Sequence, residues 1–366
     1  MKNILHTIDT SGPGGAETVF VSLTTQLDPG KYRSYAVIKS EGWVADQLRK
    51  AGIEPLFVNS KGSFSVRYLW QLVRIVRRYR IDIIQSHLLG SNVYCSLAGL
   101  ICRVPVVSVF HGAVDVNPSS SLLRIKFLIL NRGSACVVYV SHSLSATILK
   151  SGMAAAHKAR VIYNGVNTDV FLPRPDQTIR KQLGFADSDI VIGSMGNIRR
   201  PKGYDVLMHA AAQLVSHSQH YKFVIAGDTS GRVYGELLQL RERLGLAQNV
   251  FFLGFRPDVA NVLNNFDVFL LSSTSEGFSI ATIEAMACGL PAVVTRSGGP
   301  EEIVTDRDNG LLVDPASPAQ IADALQLVAG DSNLRQHLAQ RARACVTAKF
   351  SMGAMIDAYQ HLYATL

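Results

Sequence analysis

The chain has 366 residues, 48% hydrophobic and 17% charged, with a formal net charge of +8. That length predicts two domains of ordinary size, each able to bury a core, and the composition excludes a disordered chain. Five cysteines (Cys95, Cys102, Cys136, Cys288 and Cys345) are scattered without a C-x-x-C pair or a metal-binding spacing. They speak against a disulfide framework and predict reduced thiols in a cytoplasmic setting.

The charge is unevenly placed. Residues 1–186 hold 22 Lys and Arg against 10 Asp and Glu, a balance of +12, whereas residues 187–366 hold 14 against 18, a balance of −4. A basic first half suits an acidic partner. Nucleic acid is not expected, because no stacking aromatics alternate with the cations and no zinc or RNA-binding motif occurs. An anionic membrane face or a lipid phosphate fits.

In chain order, MKNILHTIDT lacks the apolar core of a signal peptide and reads as a first strand with its loop. Strands are expected at Asn3–Ile8, Ser34–Ile38, Pro55–Val58, Ile81–Ser86, Val106–Phe110, Cys136–Val140 and Arg160–Tyr163. Helical patterns fall between them at Ala16–Leu27, Ala45–Ala51, Val66–Tyr79, Asn92–Cys102 and Ser143–Lys150. The apolar region 93–110 is broken by Arg103 and Pro105, so it predicts a buried helix and a strand, not a membrane span. Val166–Asp187, with Pro173 and Pro175, reads as a linker. The alternation then resumes from Ile190 and runs through Leu311–Val313, including a short helix at Pro300–Val304, before closing helices at Ala319–Ala329, Ser332–Ala348 and Met352–Leu366. Strand–helix–strand alternation predicts two doubly wound parallel sheets, facing each other across a cleft at the carboxyl ends of the strands.

The densest chemical signal is EGFSIATIEAMACG, Glu276 to Gly289. Two carboxylates stand eight residues apart. Glu276-Gly277-Phe278-Ser279 opens a helix with Ser279 as its N-cap, and Glu284 follows among apolar neighbours. A carboxylate is costly to bury alone, but it accepts hydrogen bonds from hydroxyl groups. Amides at the helix start suit an anion, and Gly277 lets it approach. The segment therefore suits a nucleotide-sugar.

A second loop, Gly193 to Gly203, ends a strand with Arg199, Arg200 and Lys202 in front of a new helix, which suits a diphosphate but lacks the spacing of a Walker loop. Gly12-Pro13-Gly14-Gly15-Ala16-Glu17 nearly matches a dinucleotide fingerprint, yet Glu17 occupies the third glycine position, so NAD is disfavoured and a glycine turn remains that either contacts a ligand or simply turns. His87 and His111 each follow a strand and are either structural or hydrogen-bonding groups for a sugar hydroxyl. Gly227-Asp228 and Ser272–Ser275 mark further strand ends. The basic segment Arg67–Arg80, with Tyr68 and Trp70 and with Arg124 and Lys126 adding to it, is either a membrane-surface helix or a solvated face.

These motifs, with VIYNGVNTDVF at Val161–Phe171 and GNIRRPKG at Gly196–Gly203, resemble the family 4 retaining glycosyltransferases of the GT-B fold. The resemblance implies an α/β protein of two Rossmann-like domains: residues 1–168 with a returning helix 352–366 on the acceptor side, and 169–351 binding the donor. It implies Glu276 on sugar hydroxyls, Glu284 on ribose hydroxyls, and Arg199 and Lys202 on the diphosphate. Gly14 and Gly15 would let backbone approach the donor phosphate, and His111 would lie near the acceptor. Donor contacts would extend to Asn197, Gly227, Gly277, Phe278, Ser279 and Ile280. Asn197 stands where many relatives carry arginine, so Arg199 takes that role with Arg200 as competitor.

No metal or other cofactor is expected. The implied donor is a UDP-, GDP- or ADP-sugar, UDP foremost. The implied acceptor is a sugar or lipid-linked hydroxyl in polysaccharide or lipopolysaccharide assembly, at the inner face of the plasma membrane. A nucleotide-sugar 2-epimerase and a non-catalytic subunit of the same fold are the alternatives.

Overall fold

The structure, a computed structural model, describes residues 1–59, 65–113 and 122–366. Its contacts divide the chain into two compact units, Met1–Asn164 with Gly353–Leu366, and Gly165–Met352. Among the described residues no helix is long and apolar enough to cross a membrane.

Unit 1 contains, in order, β1 (Lys2–Thr7), α1 (Gly15–Gln26), β2 (Tyr32–Ile38), α2 (Trp43–Lys50), β3 (Leu56–Phe57), α3 (Val66–Arg78), β4 (Ile83–His87), α4 (Leu89–Cys102), β5 (Val106–Phe110), α5 (Leu123–Gly133), β6 (Cys136–Tyr139), α6 (His142–Leu149) and β7 (Ala159–Val161). All the strands are parallel, in the order β3-β2-β1-β4-β5-β6-β7. The order reverses between β1 and β4, where doubly wound sheets open a crevice. Strands such as VVSVF are apolar almost throughout because helices cover both faces. One covering layer buries Phe20, Val44 and Leu48 over Ile8 and Ile38. The other buries Tyr68, Leu72, Val76 and Ala98 over Leu5 and Ile84.

Unit 2 continues with α7 (Thr178–Gln182), β8 (Ile190–Met195), α8 (Tyr204–His217), β9 (Tyr221–Ala226), α9 (Arg232–Arg243), β10 (Val250–Gly254), α10 (Val259–Leu263), β11 (Val268–Leu271), α11 (Ile280–Ala287), β12 (Ala292–Thr295), β13 (Leu311–Val313), α12 (Pro318–Gly330) and α13 (Ser332–Lys349). Its sheet is also all parallel, in the order β10-β9-β8-β11-β12-β13, with the reversal between β8 and β11. The last helix, α14 (Met352–Ala364), returns to the first sheet. Lys2 Nζ donates to the Tyr363 carbonyl (2.8 Å) and the Tyr363 hydroxyl to Gln85 Oε1 (3.0 Å).

Three expectations change. Much of Val166–Asp187 is not a free linker. Its α7 buries Ile179, Arg180 pairs with Asp267 (2.5 Å), and the amide of Arg174 donates to Asn264 Oδ1 (2.8 Å). The expected helix at Pro300–Val304 is a 3-10 turn over Gly299–Glu302. Helix α5 was not expected as an element, yet Leu123, Phe127 and Leu130 recur at helical spacing and are buried.

Candidate active site

The carboxyl ends of β8 and β11 build the core of the site in unit 2. After Met195 the chain turns at Gly196 (φ 151°), whose carbonyl accepts from the Tyr204 hydroxyl (2.8 Å). Asn197 Oδ1 accepts from the Asp228 amide (3.2 Å), and a Cβ on Gly227 would fall 2.0 Å from the Gly196 carbonyl oxygen. The loop therefore needs glycine at 227 for packing, whatever else contacts it. A 3-10 turn over Arg200–Lys202 ends at Gly203 (φ 62°), where a Cβ would lie 2.1 Å from the Ser272 carbonyl oxygen.

Two hydrogen bonds lock this loop to the one after β11. Ser272 Oγ donates to the Lys202 carbonyl (2.9 Å), and the Thr274 amide to the Pro201 carbonyl (2.8 Å). Lys202 is thereby aimed at Glu276. Its Nζ donates to Glu276 Oε1 (2.7 Å), and Ser273 Oγ donates to the same oxygen (2.6 Å). The backbone of Glu276 is held as well: its amide donates to the Ser297 carbonyl (2.8 Å), and its carbonyl accepts from Gly299 (3.1 Å). Glu276 keeps 11% and Lys202 26% of its side-chain surface accessible, so the pair is shielded but reachable. Its charge is already balanced, which satisfies the requirement on a partly buried carboxylate.

Helix α11 starts immediately beyond. Ser279 caps it, accepting from the Thr282 amide (3.3 Å), while the first two amides, Ile280 and Ala281, lie outside the helical hydrogen-bond ladder. Glu284 stands one turn after Ile280 on the same face, flanked by buried Ile283, Ala285 and Met286. Among the described residues nothing hydrogen-bonds its carboxyl group. Burial pushes its pKa up to about 8. Once ionised, a carboxyl group without a partner can accept from ligand hydroxyls.

The remaining expected residues divide. Arg199 is exposed and makes no ion pair among the described residues; its charge helps hold the Asp228 carboxyl below the usual range, after the Ser230 hydrogen bonds. Its competitor Arg200 is engaged with Glu236 (2.9 Å). The Phe278 ring is buried against Phe350, centroids 5.7 Å apart, so only its backbone is available to a ligand. Gly277 adjoins Gly299, where a Cβ would come within 2.3 Å of the Gly277 carbonyl oxygen.

In unit 1, Gly14 is the extended N-cap of α1 and Gly15 its first residue. Glu17 folds back over Gly14: a Cβ there would sit 2.4 Å from Glu17 Oε2. His87 ends β4, and His111 follows β5. Because those strands are neighbours, the rings stack at 18° with centroids 5.1 Å apart, and His87 Nδ1 meets His111 Nε2 at 2.8 Å. One nitrogen donates and the other accepts, so at least one of the two rings is neutral. Burial pushes His111 down to about 3 and His87 well below its usual range. His6 is a third member of this buried set, also pushed down to about 3 by burial.

Sequence reasoning missed Ser273, Tyr204 and His6. Ser273 lay within the noted serine cluster at a strand end, but its bond to Glu276 depends on the loop's curl. Among the described residues no cluster of three metal-ligating side chains occurs.

Two Rossmann-like domains, the second with a lysine–glutamate pair beside a capped helix, define a GT-B architecture. The comparisons agree. The family model described as Glycosyl transferases group 1 matches residues 175–344, and that described as Glycosyltransferase Family 4 matches residues 13–170. The chain is 29% identical over 304 residues to N-acetyl-alpha-D-glucosaminyl L-malate synthase of Bacillus anthracis, covering 80% of this chain and 77% of that one. It is 27% identical over 354 residues to the lipopolysaccharide core biosynthesis glycosyltransferase LpsE of Rhizobium meliloti, covering 96% of each. The crystal structure of Anabaena HepE in complex with UDP-glucose superposes with a TM-score of 0.91 at 26% identity, covering all of both chains. The chain belongs to the GT-B glycosyltransferases of the family 4 type, and it is a glycosyltransferase.

Proposed function

We propose that the chain transfers a hexose from a UDP-sugar to an acceptor hydroxyl with retention at the anomeric carbon. The observation that carries this reading is the Lys202–Glu276 pair held beside the start of α11, with Glu284 on that helix. Lys202 has N–H groups beyond the one given to Glu276 and would donate them to the departing diphosphate, joined by Arg199 and the first amides of α11. Stabilising charge on the leaving group in a preorganised site is the main source of rate in such a mechanism, and these cations supply it without a metal. Glu284 would accept from the ribose hydroxyls and Glu276 from the sugar hydroxyls. The neutralised state of Glu276 fits a hydroxyl acceptor better than a covalent nucleophile. His111 would serve the acceptor side, with Gly14 and Gly15 near the donor phosphate.

UDP is favoured over GDP and ADP because the similar Anabaena structure holds UDP-glucose. A lipid-linked acceptor of cell-surface polysaccharide assembly is favoured by the likeness to LpsE over 96% of both chains. We place the reaction at the cytoplasmic face of an anionic membrane.

The test is a thermal-shift panel of UDP-, GDP- and ADP-sugars. A ligand at a hundred times its Kd stabilises by about 2.7 kcal/mol, enough to move a melting midpoint by a few degrees. UDP-sugars should stabilise the protein and turn over only when acceptor is added. No stabilisation by any nucleotide-sugar would refute the donor site. Turnover of donor to an epimer without acceptor would establish the epimerase alternative.

A further inference from the structure

Three adjacent helices of unit 1 carry no aspartate or glutamate. Helix α3 holds Arg67, Arg74, Arg77 and Arg78, helix α5 holds Arg124, Lys126 and Arg132, and α4, packed between them, has no charge of either sign. Cations on helices of unit 2 find partners within the protein: on α13, which also lacks acids, Arg341 pairs with Asp308, and Arg335 and Arg343 donate to the carbonyls of Ala329 and Phe171. On α9, Arg232 pairs with Glu236 and Arg241 with Glu242. A purely solvated role does not require the α3–α5 layer to be unbalanced.

The same outer surface is rich in large apolar side chains. On α3 the buried residues are Tyr68, Leu72, Val73 and Val76, which turns Trp70 outward at 62% exposure, in line with Arg74 and Arg77 at helical spacing. On α5 the inward residues are Leu123, Phe127 and Leu130, which leaves Ile125 (53%) and Leu128 (48%) outside beside Arg124 and Arg132. Helix α4 adds Leu100 and Ile101, each about half exposed. Apolar side chains interleaved with unpaired-sign cations match the layered chemistry of an anionic bilayer surface: acyl boundary beneath, phosphate above. An indole sits well at that boundary.

We infer that the outer face of the α3–α4–α5 layer seats on an anionic lipid surface, with Trp70, Ile125 and Leu128 entering the headgroup region and the arginines contacting lipid phosphate. This rests on the reading that the acceptor is presented at a membrane, and it deepens that reading by assigning the surface. The charge of the layer selects lipid phosphate as the occupant over a neutral apolar protein face.

The experiment uses the intact protein with vesicles of equimolar phosphatidylcholine and phosphatidylglycerol, and with pure phosphatidylcholine vesicles. Trp70 emission should shift to the blue and be quenched by brominated acyl chains with the anionic vesicles alone, and the shift should vanish in Trp70→Phe. Arg74→Gln combined with Arg77→Gln should lower vesicle partition about twentyfold, since each basic residue near such a surface contributes about fivefold. Ile125→Glu with Leu128→Glu should lower it by at least tenfold. Stabilisation by UDP-sugar should stay unchanged in all these variants, which reports that they fold. Absence of vesicle binding by the unmodified protein at low salt would overturn the inference, as would equal binding to neutral vesicles or wild-type partition in both double variants. Transfer to a water-soluble acceptor with no vesicle binding would refute the surface and leave the glycosyl transfer standing. Vesicle binding with no nucleotide-sugar binding would do the reverse.

Discussion

The strand-end sites of the two units handle charge in opposite ways on the same topology. At the β8–β11 reversal in unit 2, a cation and a carboxylate are brought to 2.7 Å and balance each other, with a serine donating to the same carboxylate oxygen. Beside the β1–β4 reversal in unit 1, the ends of β4 and β5 carry histidines that burial keeps uncharged. A doubly wound sheet fixes where a ligand-facing residue stands. It does not fix whether that residue is charged, which is set by what the neighbouring loop offers. Unit 2 offers an ionic partner, and unit 1 offers His87 a second imidazole.

The sharpest way to break this contrast is to remove one member of the charged pair. Lys202→Ala and Glu276→Ala should each lower glycosyl transfer by about a hundred- to ten-thousandfold, as the loss of groups that stabilise transition-state charge does. Each variant leaves the other charge partly accessible to water, so cooperative melting should persist. Near-normal steady-state rates in both would dismantle the assignment.

Acid should act on the other side of the comparison. His6 and His111 titrate near 3 in the folded chain and His87 is also depressed, against about 6.5 when unfolded. The unfolded state therefore binds more protons below 6.5. Stability is full above that pH and falls as pH drops from 6.5 toward 3, by up to about 1.4 kcal/mol per pH unit for each histidine. The histidines of unit 2 show no comparable burial, with His209 exposed. Hydrogen exchange at pH 5 should reveal opening in unit 1 before unit 2. Simultaneous opening of both units would remove the distinction.

How much of this was legible in the sequence follows the same division. The parallel sheets could be read because apolar runs alternate with amphipathic helices, and the α11 N-cap because Ser279 precedes an apolar run. His87 and His111 could be named as a pair of strand-end residues, but their contact needed the order β4-β5. Lys202 and Glu276 are 74 positions apart, and only the β8–β11 pairing joins them. The linker reading failed because Asn264 and Asn265 supply acceptors to the amides of Arg174 and Ile179, which a local pattern does not reveal. Phe278 is a different case: its place in a ligand loop was legible, but the burial of its ring was not, and a large ring next to a core gains from burial.

A glycine gives a smaller perturbation of the charged side. Gly203 holds a left-handed conformation against the Ser272 carbonyl. Gly203→Ala adds a Cβ to both a strained φ and a close approach, and should destabilise unit 2 by about 1–3 kcal/mol. The loop must shift to admit it, so Lys202 should lose its aim and donor binding should weaken as well. Denaturant unfolding alongside UDP-sugar titration reads both effects. A fully stable variant with unchanged affinity would show that the loop clamp does not position the lysine.

Glu284 lies between the two regimes, since it sits in the charge-pairing unit yet has no hydrogen-bond partner among the described residues. Its folded pKa of about 8 exceeds its unfolded value of about 4.5, so the ligand-free fold binds the extra proton. Its contribution to stability is therefore undiminished below pH 4.5 and declines as pH rises from 4.5 to 8. Binding runs the other way. Two ribose hydroxyls need an ionised acceptor, so UDP affinity should rise about fiftyfold between pH 6 and 8, as the ionised fraction goes from about 1% to about 50%, and level off above, with a proton released on binding near neutrality. Calorimetry in buffers of different ionisation enthalpy counts that proton directly. Glu284→Gln should bind more weakly at pH 8, release no proton and show little pH dependence. A wild-type titration without proton release would mean that the carboxyl is already ionised, or that the ribose does not reach it.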